Sequence, residues 1–347
     1  MHERTIAMYA REIRPLLQKS AFALARSRLL WLPVHLAVIA LSVTALAAHW
    51  VPWLLAPFVS VLVGMSFAGL TFVGHEALHG AMLRGSLPQR VVGWFGFLPF
   101  VVSPRLWLAW HNRVHHGNTQ LAGRDPDAYP TLQEYRESAA VRAVTEIAPG
   151  GGRLRGLVTP LIGFSVQSMH MLLVARRRGY LSPKQHTFAL LETAAGIAVW
   201  VTLAAVIGPL PFLFGYVLPL LVGNVIIMGF ILTNHSLSPL TGVNDPLANS
   251  LTVTTPRLIQ WLTLGFGFHV EHHLFPAMST RHAPRVREIL RARWPGKYQS
   301  MPLLDATAAL HLSPRIYKDA ATLIDPKSGN EWPTLAQQFD SQSPPAE

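Results

Sequence analysis

The sequence contains no cysteine. Disulfides, thiolate iron–sulfur clusters, Cys-ligated zinc and a cysteine nucleophile are therefore excluded together, and any metal must sit on nitrogen or oxygen. Charge is scarce as well: Asp, Glu, Lys and Arg make up 14% of the 347 residues, while half the chain is apolar. That is the composition of a membrane protein. Acid is scarcer than base, 18 residues against 29, for a formal charge of +11. In a soluble protein this excess would point to nucleic acid; here its distribution points elsewhere. Internal repeats beyond a pair of hairpins and low-complexity linkers are also missing, so residues 1–324 read as a single domain.

What is present begins with long apolar runs. A hydrocarbon layer of about 30 Å needs about 20 helical residues, and four runs satisfy this: 29–48, 51–73, 187–207 and 210–232. The joints "HW" and "GP" are too short to do more than reverse the chain, so the runs pair into two hairpins. Neither joint holds Lys or Arg; the basic residues fall before the first span, between the hairpins and after the last. By the positive-inside rule both termini and the middle segment are expected in the cytosol. The charge is then topology plus attraction to anionic headgroups, with no call for nucleic acid. The stretch 91–102 is too short to span. The stretch 157–175 is long enough but contains Gln167 and His170 between arginine clusters, and reads as interfacial. Residues 1–28 precede the first run with too much charge for a cleaved signal and read as an amphipathic interfacial segment. Residues 325–347 read as a flexible tail. The expected architecture is all-α and integral to the membrane. Four spans stand under a cytosolic helical cap formed by 74–186 and 233–324, and the cap carries a histidine site for two metals.

That site is read from clustered histidines. His75 and His79 lie in "HEALH" (box one), His111, His115 and His116 in "HNRVHH" (box two), and His269, His272 and His273 in "HVEHH" (box three); His235 directly follows the fourth span. On a helix, residues four apart share a face with Cβ atoms about 5–6 Å apart, so His75 and His79 can reach one ion. In an α-helix His116 would point roughly 140° from His111, suiting a second ion. Nine imidazoles exceed the needs of one metal. Imidazole suits zinc, copper, iron and nickel alike, but catalytic zinc generally takes three protein ligands. Two iron ions fit the surplus of neutral donors best, with zinc and copper as the alternatives. His35, His49, His170, His186, His282 and His311 stand outside these groups and read as structural or exposed.

The motifs "HEALH", "HNRVHH" and "HVEHHLFP", with a hairpin of spans before the third, resemble those of the membrane fatty acid (acyl-lipid) desaturases over residues 29–285. The resemblance implies a non-haem di-iron site under a cytosolic cap, with His235 in the place of the family's additional histidine. It implies an oxygen-dependent enzyme that inserts a double bond into an acyl chain carried as a lipid, on CoA or on a carrier protein. O2 and an external donor, a ferredoxin or a cytochrome with its reductase, are then needed. Glu76 and Glu271 either orient imidazole N–H groups or are solvated helix carboxylates. Asp125 and Asp127 in "RDPDAYP" either match a stretch common in this family or form a Pro-stabilised turn. Glu192, about a turn inside the third span, either lines the site or pairs with an arginine. Two rivals use the same histidines differently: a hydroxylase or ketolase on the same metals, and a zinc protease built on the H-E-x-x-H of His75, Glu76 and His79. Abundant arginine with little lysine points to a GC-rich genome and a bacterial inner membrane.

Overall fold

The computed structural model describes residues 4–152 and 154–335. It is mostly helical. Helix α1 (Ile6–Ile13) leads through short turns into α2 (Trp31–Ala47); α3 (Ala56–Leu78), α4 (Ser86–Phe97) and α5 (Pro104–Trp107) follow, and α5 runs into a π-helical segment, Leu108–His115. Next come α6 (Val158–Val174), α7 (Pro183–Ile207), α8 (Leu218–His235), strand β1 (Thr252–Thr254), α9 (Arg257–Leu262), α10 (His269–Leu274) and α11 (Ala283–Arg293). Strands β2 (Ser300–Pro302), β3 (Thr322–Ile324) and β4 (Glu331–Pro333) complete the elements used below.

Five helical stretches among the described residues are long and apolar enough to cross a membrane: Lys19–Ala47, Trp53–Leu78, Arg155–Val174, Pro183–Ile207 and Pro209–His235. Four contain the predicted spans, to within two residues at the joint between the first pair. The fifth is the stretch read as interfacial, and by length and composition it qualifies with the others. Ser86–Phe100 and Pro104–Asn118 would qualify only as a pair, bent by 102°, so the apolar stretch 91–102 belongs to a sharply broken helix.

The chain divides into two compact units, where the sequence reads as one domain. The first comprises Ala23–Arg113 and Leu161–Met228, the second Met1–Phe22, Val114–Pro160 and Gly229–Glu347. Each unit is assembled from separated segments, which is why no linker marks a boundary in the sequence.

In the first unit, glycines bring helices together. A Cβ on Gly96 of α4 would lie 2.6 Å from the Cα of Gly74 in α3, so these two backbones touch. A Cβ on Gly69 would collide with the ring of His35 at 2.2 Å; His35 lies in that notch, stacked on Trp31. This matches its reading as structural. Helix α7 starts at a capping box between Ser182 and Gln185 with Pro183 in the first turn, and ends at Gly208, whose φ of +79° terminates the helix.

In the second unit, α1 buries Tyr9 and Ile13 completely in a core with Val270 and Leu274 of α10 and Val286, Ile289 and Leu290 of α11. Of the segment read as interfacial, Tyr9 and Ile13 are thus packed on protein, where each such side chain contributes about 1.5–3 kcal/mol, while Met8 and Leu16 remain exposed. Strand β1 pairs with β2 in parallel, and β3 with β4 antiparallel. The second pairing corrects the expected tail. The backbone N–H of Leu335 also donates to Leu237 at 3.0 Å and that of Thr334 to Ala321 at 2.8 Å, so residues 325–335 are held by the ladder and by these bonds. The rest of the expected tail, 336–347, lies outside the described residues.

Candidate metal centre

The first unit presents three of the nine histidines. His75 and His79, one turn apart at the C-terminal end of α3, have ring centroids 4.6 Å apart. His111 lies 5.3 Å and 5.6 Å from them, and the ring nitrogens of all three fall within 4.8 Å of one another. His111 is placed by its own helix. Ser103 caps the N-terminus of α5, accepting from the backbone N–H groups of Arg105 and Leu106, and Pro104 occupies the first turn. Trp107 then stacks on His111 with centroids 4.1 Å apart. Asn112 ties this segment to the end of α3, its Nδ2 donating to the carbonyl of Leu78 at 3.2 Å. The segment is π-helical, so the 140° expected between His111 and His116 on an α-helix does not apply through it. Such i→i+5 segments are rare and occur often at functional sites.

The second unit holds the other six. His115, His235 and His273 are buried, with ring nitrogens within 4.8 Å of one another. Each offers the same nitrogen, because each Nδ1 is already engaged. Asp125 Oδ1 lies 3.0 Å from Nδ1 of His115, and the carbonyl of Asn249 lies 3.3 Å from Nδ1 of His235. Thr119 Oγ1 lies 3.2 Å from Nδ1 of His273; its hydroxyl donates to the carbonyl of His115, so it accepts from His273. A hydrogen bond at one ring nitrogen fixes the tautomer and aims the other. Nε2 of His269 stands 2.7 Å from Nε2 of His235 and 3.1 Å from Nε2 of His273. Donors about 2.1 Å from one ion and at right angles would be roughly 3.0 Å apart. With Nε2 of His269 unprotonated, ring nitrogens at these separations match the spacing of donors to one shared cation. His116 stacks on His273 at 4.2 Å, and His272 lies 4.9 Å from His116.

Electrostatics keep box three in its ligating form. Burial, and then the other imidazoles, hold His269 and His273 well below the ordinary imidazole value; burial likewise lowers His272 to about 3. All three are neutral at physiological pH. Asp125 goes the other way. Burial opposes its ionisation, but His115 and the backbone N–H groups of Gln120 and Asp127 outweigh burial and hold the carboxyl below its usual range.

Residues 48–303 match the model of the family described as Fatty acid desaturase. The chain belongs to the fatty acid desaturase family. It is 22% identical to the chloroplastic omega-6 fatty acid desaturase of Arabidopsis thaliana over 72% of this chain and 56% of that one. It is 26% identical to the sn-1 acyl-lipid omega-3 desaturase (ferredoxin) of Synechocystis sp., covering 71% of this chain and 70% of that one. For the sn-1 oleoyl-lipid 12-desaturase of Arthrospira platensis the identity is 23% and both coverages are 72%. The chain spans a little over half the length, 56%, of the chloroplastic relatives from Arabidopsis thaliana and Spinacia oleracea.

Within this desaturase-family chain the acidic candidates separate. Asp125 and Asp127 both face Nδ1 of His115, at 3.0 Å and 3.4 Å. Glu76 instead pairs with Arg28 at 2.6 Å. Glu271 bonds no imidazole: Thr252 and Tyr298 donate to its two oxygens at 2.6 Å and 2.5 Å, and burial raises its pKa. Glu271 is thus neither an imidazole partner nor a solvated carboxylate: it is fully buried in α10 and turned toward β1. Glu192 takes the arginine alternative, accepting from Arg105 Nε at 2.7 Å and Ser103 Oγ at 2.6 Å. Sequence reasoning did not find Thr119, Gln120 or Asn249. The first two directly follow box two; Asn249 carries no local signal. Asn234, beside His235, is fully buried with both side-chain amide atoms unbonded, as a bound water would explain.

Proposed function

We propose that this chain is an oxygen-dependent acyl desaturase holding two iron ions. His75, His79 and His111 form the core of one ligand shell and His115, His235 and His273 that of the other, with His116, His269 and His272 as further ligands. The observation that carries this reading is the set of three Nε2 atoms in the second unit, each aimed by a separate partner on its Nδ1. Iron, when bound, supplies O2 activation and the removal of two hydrogens from adjacent carbons. Overall, one O2, two electrons and two protons are consumed, a double bond forms, and two waters leave.

The chain's own residues do the positioning. Asp125 and Asp127 fix His115, Thr119 fixes His273, and Asn249 fixes His235. A cavity of about 120 Å³ in the first unit, lined by Phe100, Leu106, Leu172 and Tyr216 among others, suits an apolar chain; Leu106 directly precedes Trp107. Each buried methylene contributes about 0.8 kcal/mol, so chain length and register are read from apolar burial. The proposed substrate is an acyl chain on a lipid, on CoA or on a carrier protein. The electrons come from an external ferredoxin, or from a cytochrome with its reductase. In the membrane we propose four spans in two hairpins, with the histidine-bearing cap and both termini cytosolic, in a bacterial inner membrane.

The test is metal analysis of the purified protein with lipid profiling of an expressing strain. Two irons and a new double bond are expected. An added oxygen would replace desaturation by hydroxylation or ketolation. One zinc with peptide cleavage would overturn the reading; against that rival, Glu76 is held by Arg28 instead of standing ready as a general base.

A further inference from the structure

We infer that the outer face of α11 is the docking surface for a small acidic one-electron carrier. This rests on the desaturase reading, which requires two electrons per turnover, one from each of two docking events. The inner face of α11, through Val286, Ile289 and Leu290, shares a core with Val270 and Leu274 of α10, the helix that carries His269, His272 and His273. Helices packed in this way lie about 8–10 Å apart axis to axis. The outer face of α11 is therefore one helix thickness from α10, the helix that carries His269, His272 and His273.

That face is strongly basic. From Arg281 to Arg293 the sequence holds five arginines against one glutamate, a formal charge of +4. Arg281, Arg285, Arg291 and Arg293 are exposed. Arg285 meets Glu288 at 2.8 Å and Arg293 meets Glu12 at 3.6 Å, but all four side chains are more than a third exposed, so neither pair holds its arginine firmly. The excess remains available to steer an acidic partner.

Two observations favour a protein over a lipid surface. No large apolar side chain is exposed between Arg281 and Arg293, whereas α9 in the same unit exposes Leu258 by 64% and Trp261 by 61%, as a helix lying on lipid does. The other exposed arginine run, Arg176 to Arg178, follows α6 beside Leu173, itself 69% exposed, which suits a bilayer edge.

The experiment uses the full chain in nanodiscs of zwitterionic lipid and a [2Fe–2S] ferredoxin, with affinity measured at low and high salt without turnover. The R285E/R291E variant is expected to weaken binding about tenfold or more at low salt and to flatten the salt dependence, with R285Q/R291Q between it and wild type. A melting curve like that of the wild type establishes that each variant is folded. R176E/R177E/R178E is expected to bind ferredoxin as the wild type does. Unchanged ferredoxin affinity in R285E/R291E would overturn the inference. So would an equal loss in the Arg176–Arg178 variant, or a loss confined to anionic vesicles. Binding through α11 by a chain that makes no double bond would sink the functional reading and keep the docking surface; desaturation with binding indifferent to α11 would do the reverse.

Discussion

Replacing Asp125 by asparagine removes a charge from behind His115 while keeping the volume. In the wild type, Oδ1 faces Nδ1 of His115 and accepts from the N–H of Asp127, both at 3.0 Å, and Oδ2 accepts from the N–H of Gln120 at 2.8 Å. Asparagine offers one oxygen. With it in the Oδ1 position, the new NH2 meets the Gln120 N–H, leaving a buried donor unsatisfied at about 1–3 kcal/mol. The imidazole of His115 also loses the nearer of its two anions, leaving Asp127 at 3.4 Å to raise its basicity and fix its tautomer. Changes to groups behind metal-binding histidines cost about 10–100-fold in affinity, or about 1.4–2.7 kcal/mol. Chelator competition on the purified protein, following iron per chain, is the assay. One of the two ions is expected to leave at a correspondingly lower chelator concentration while the other is retained. Wild-type retention of both ions in Asp125→Asn and in the double variant with Asp127→Asn would refute the reasoning, because it would mean that His115 ligates nothing or that neither carboxylate orients it.

The remaining predictions follow from the same contacts. Thr119→Val removes the acceptor at Nδ1 of His273 and is expected to weaken metal retention by about tenfold with little change in fold, checked by the same competition. Glu192→Ala breaks the contacts to Arg105 and Ser103 in the first unit; both side chains of the ion pair are partly exposed, so a loss of about 1–3 kcal/mol is expected in a thermal melt, with metal content unchanged. Gly69→Ala forces His35 out of its notch and should lower the melting temperature, at about 1–3 kcal/mol, whereas His35→Ala should leave the iron content intact. The Asp125 carboxyl has a folded pKa below its ordinary value, so its stabilisation is complete above that ordinary value and lost as the pH falls through the lowered one. The metal-free wild type is therefore expected to lose stability on the acid side more steeply than Asp125→Asn, read as melting temperature against pH.

Much of this protein is legible from local patterns. Absence of cysteine, runs of about 20 apolar residues and imidazoles three to five apart are properties of short windows, and they led to the membrane helices, to ligation without sulfur and to the nine histidines. Local patterns do not decide a segment that qualifies twice: the stretch containing α6 is flanked by arginines as an interfacial helix is, and is also long enough to span. Nor do they decide where an apolar face goes when lipid and protein are both open to it, as in α1, whose Tyr9 and Ile13 are buried in the second unit.

The sequence alone determined which atoms are able to hold a metal, since only nitrogen and oxygen donors were available and the imidazoles are clustered. Tertiary structure alone decided which nitrogen His115, His235 and His273 present. The groups that make that choice, Thr119 for His273 and Asn249 for His235, lie 154 and 14 residues away from the rings they hold. It also decided that Glu271 serves Thr252 and Tyr298, that 325–335 joins a ladder, and that box two rides a π-helix. Hydrogen-bond partners across such separations depend on how segments pack, and helical periodicity carries information over only a few turns.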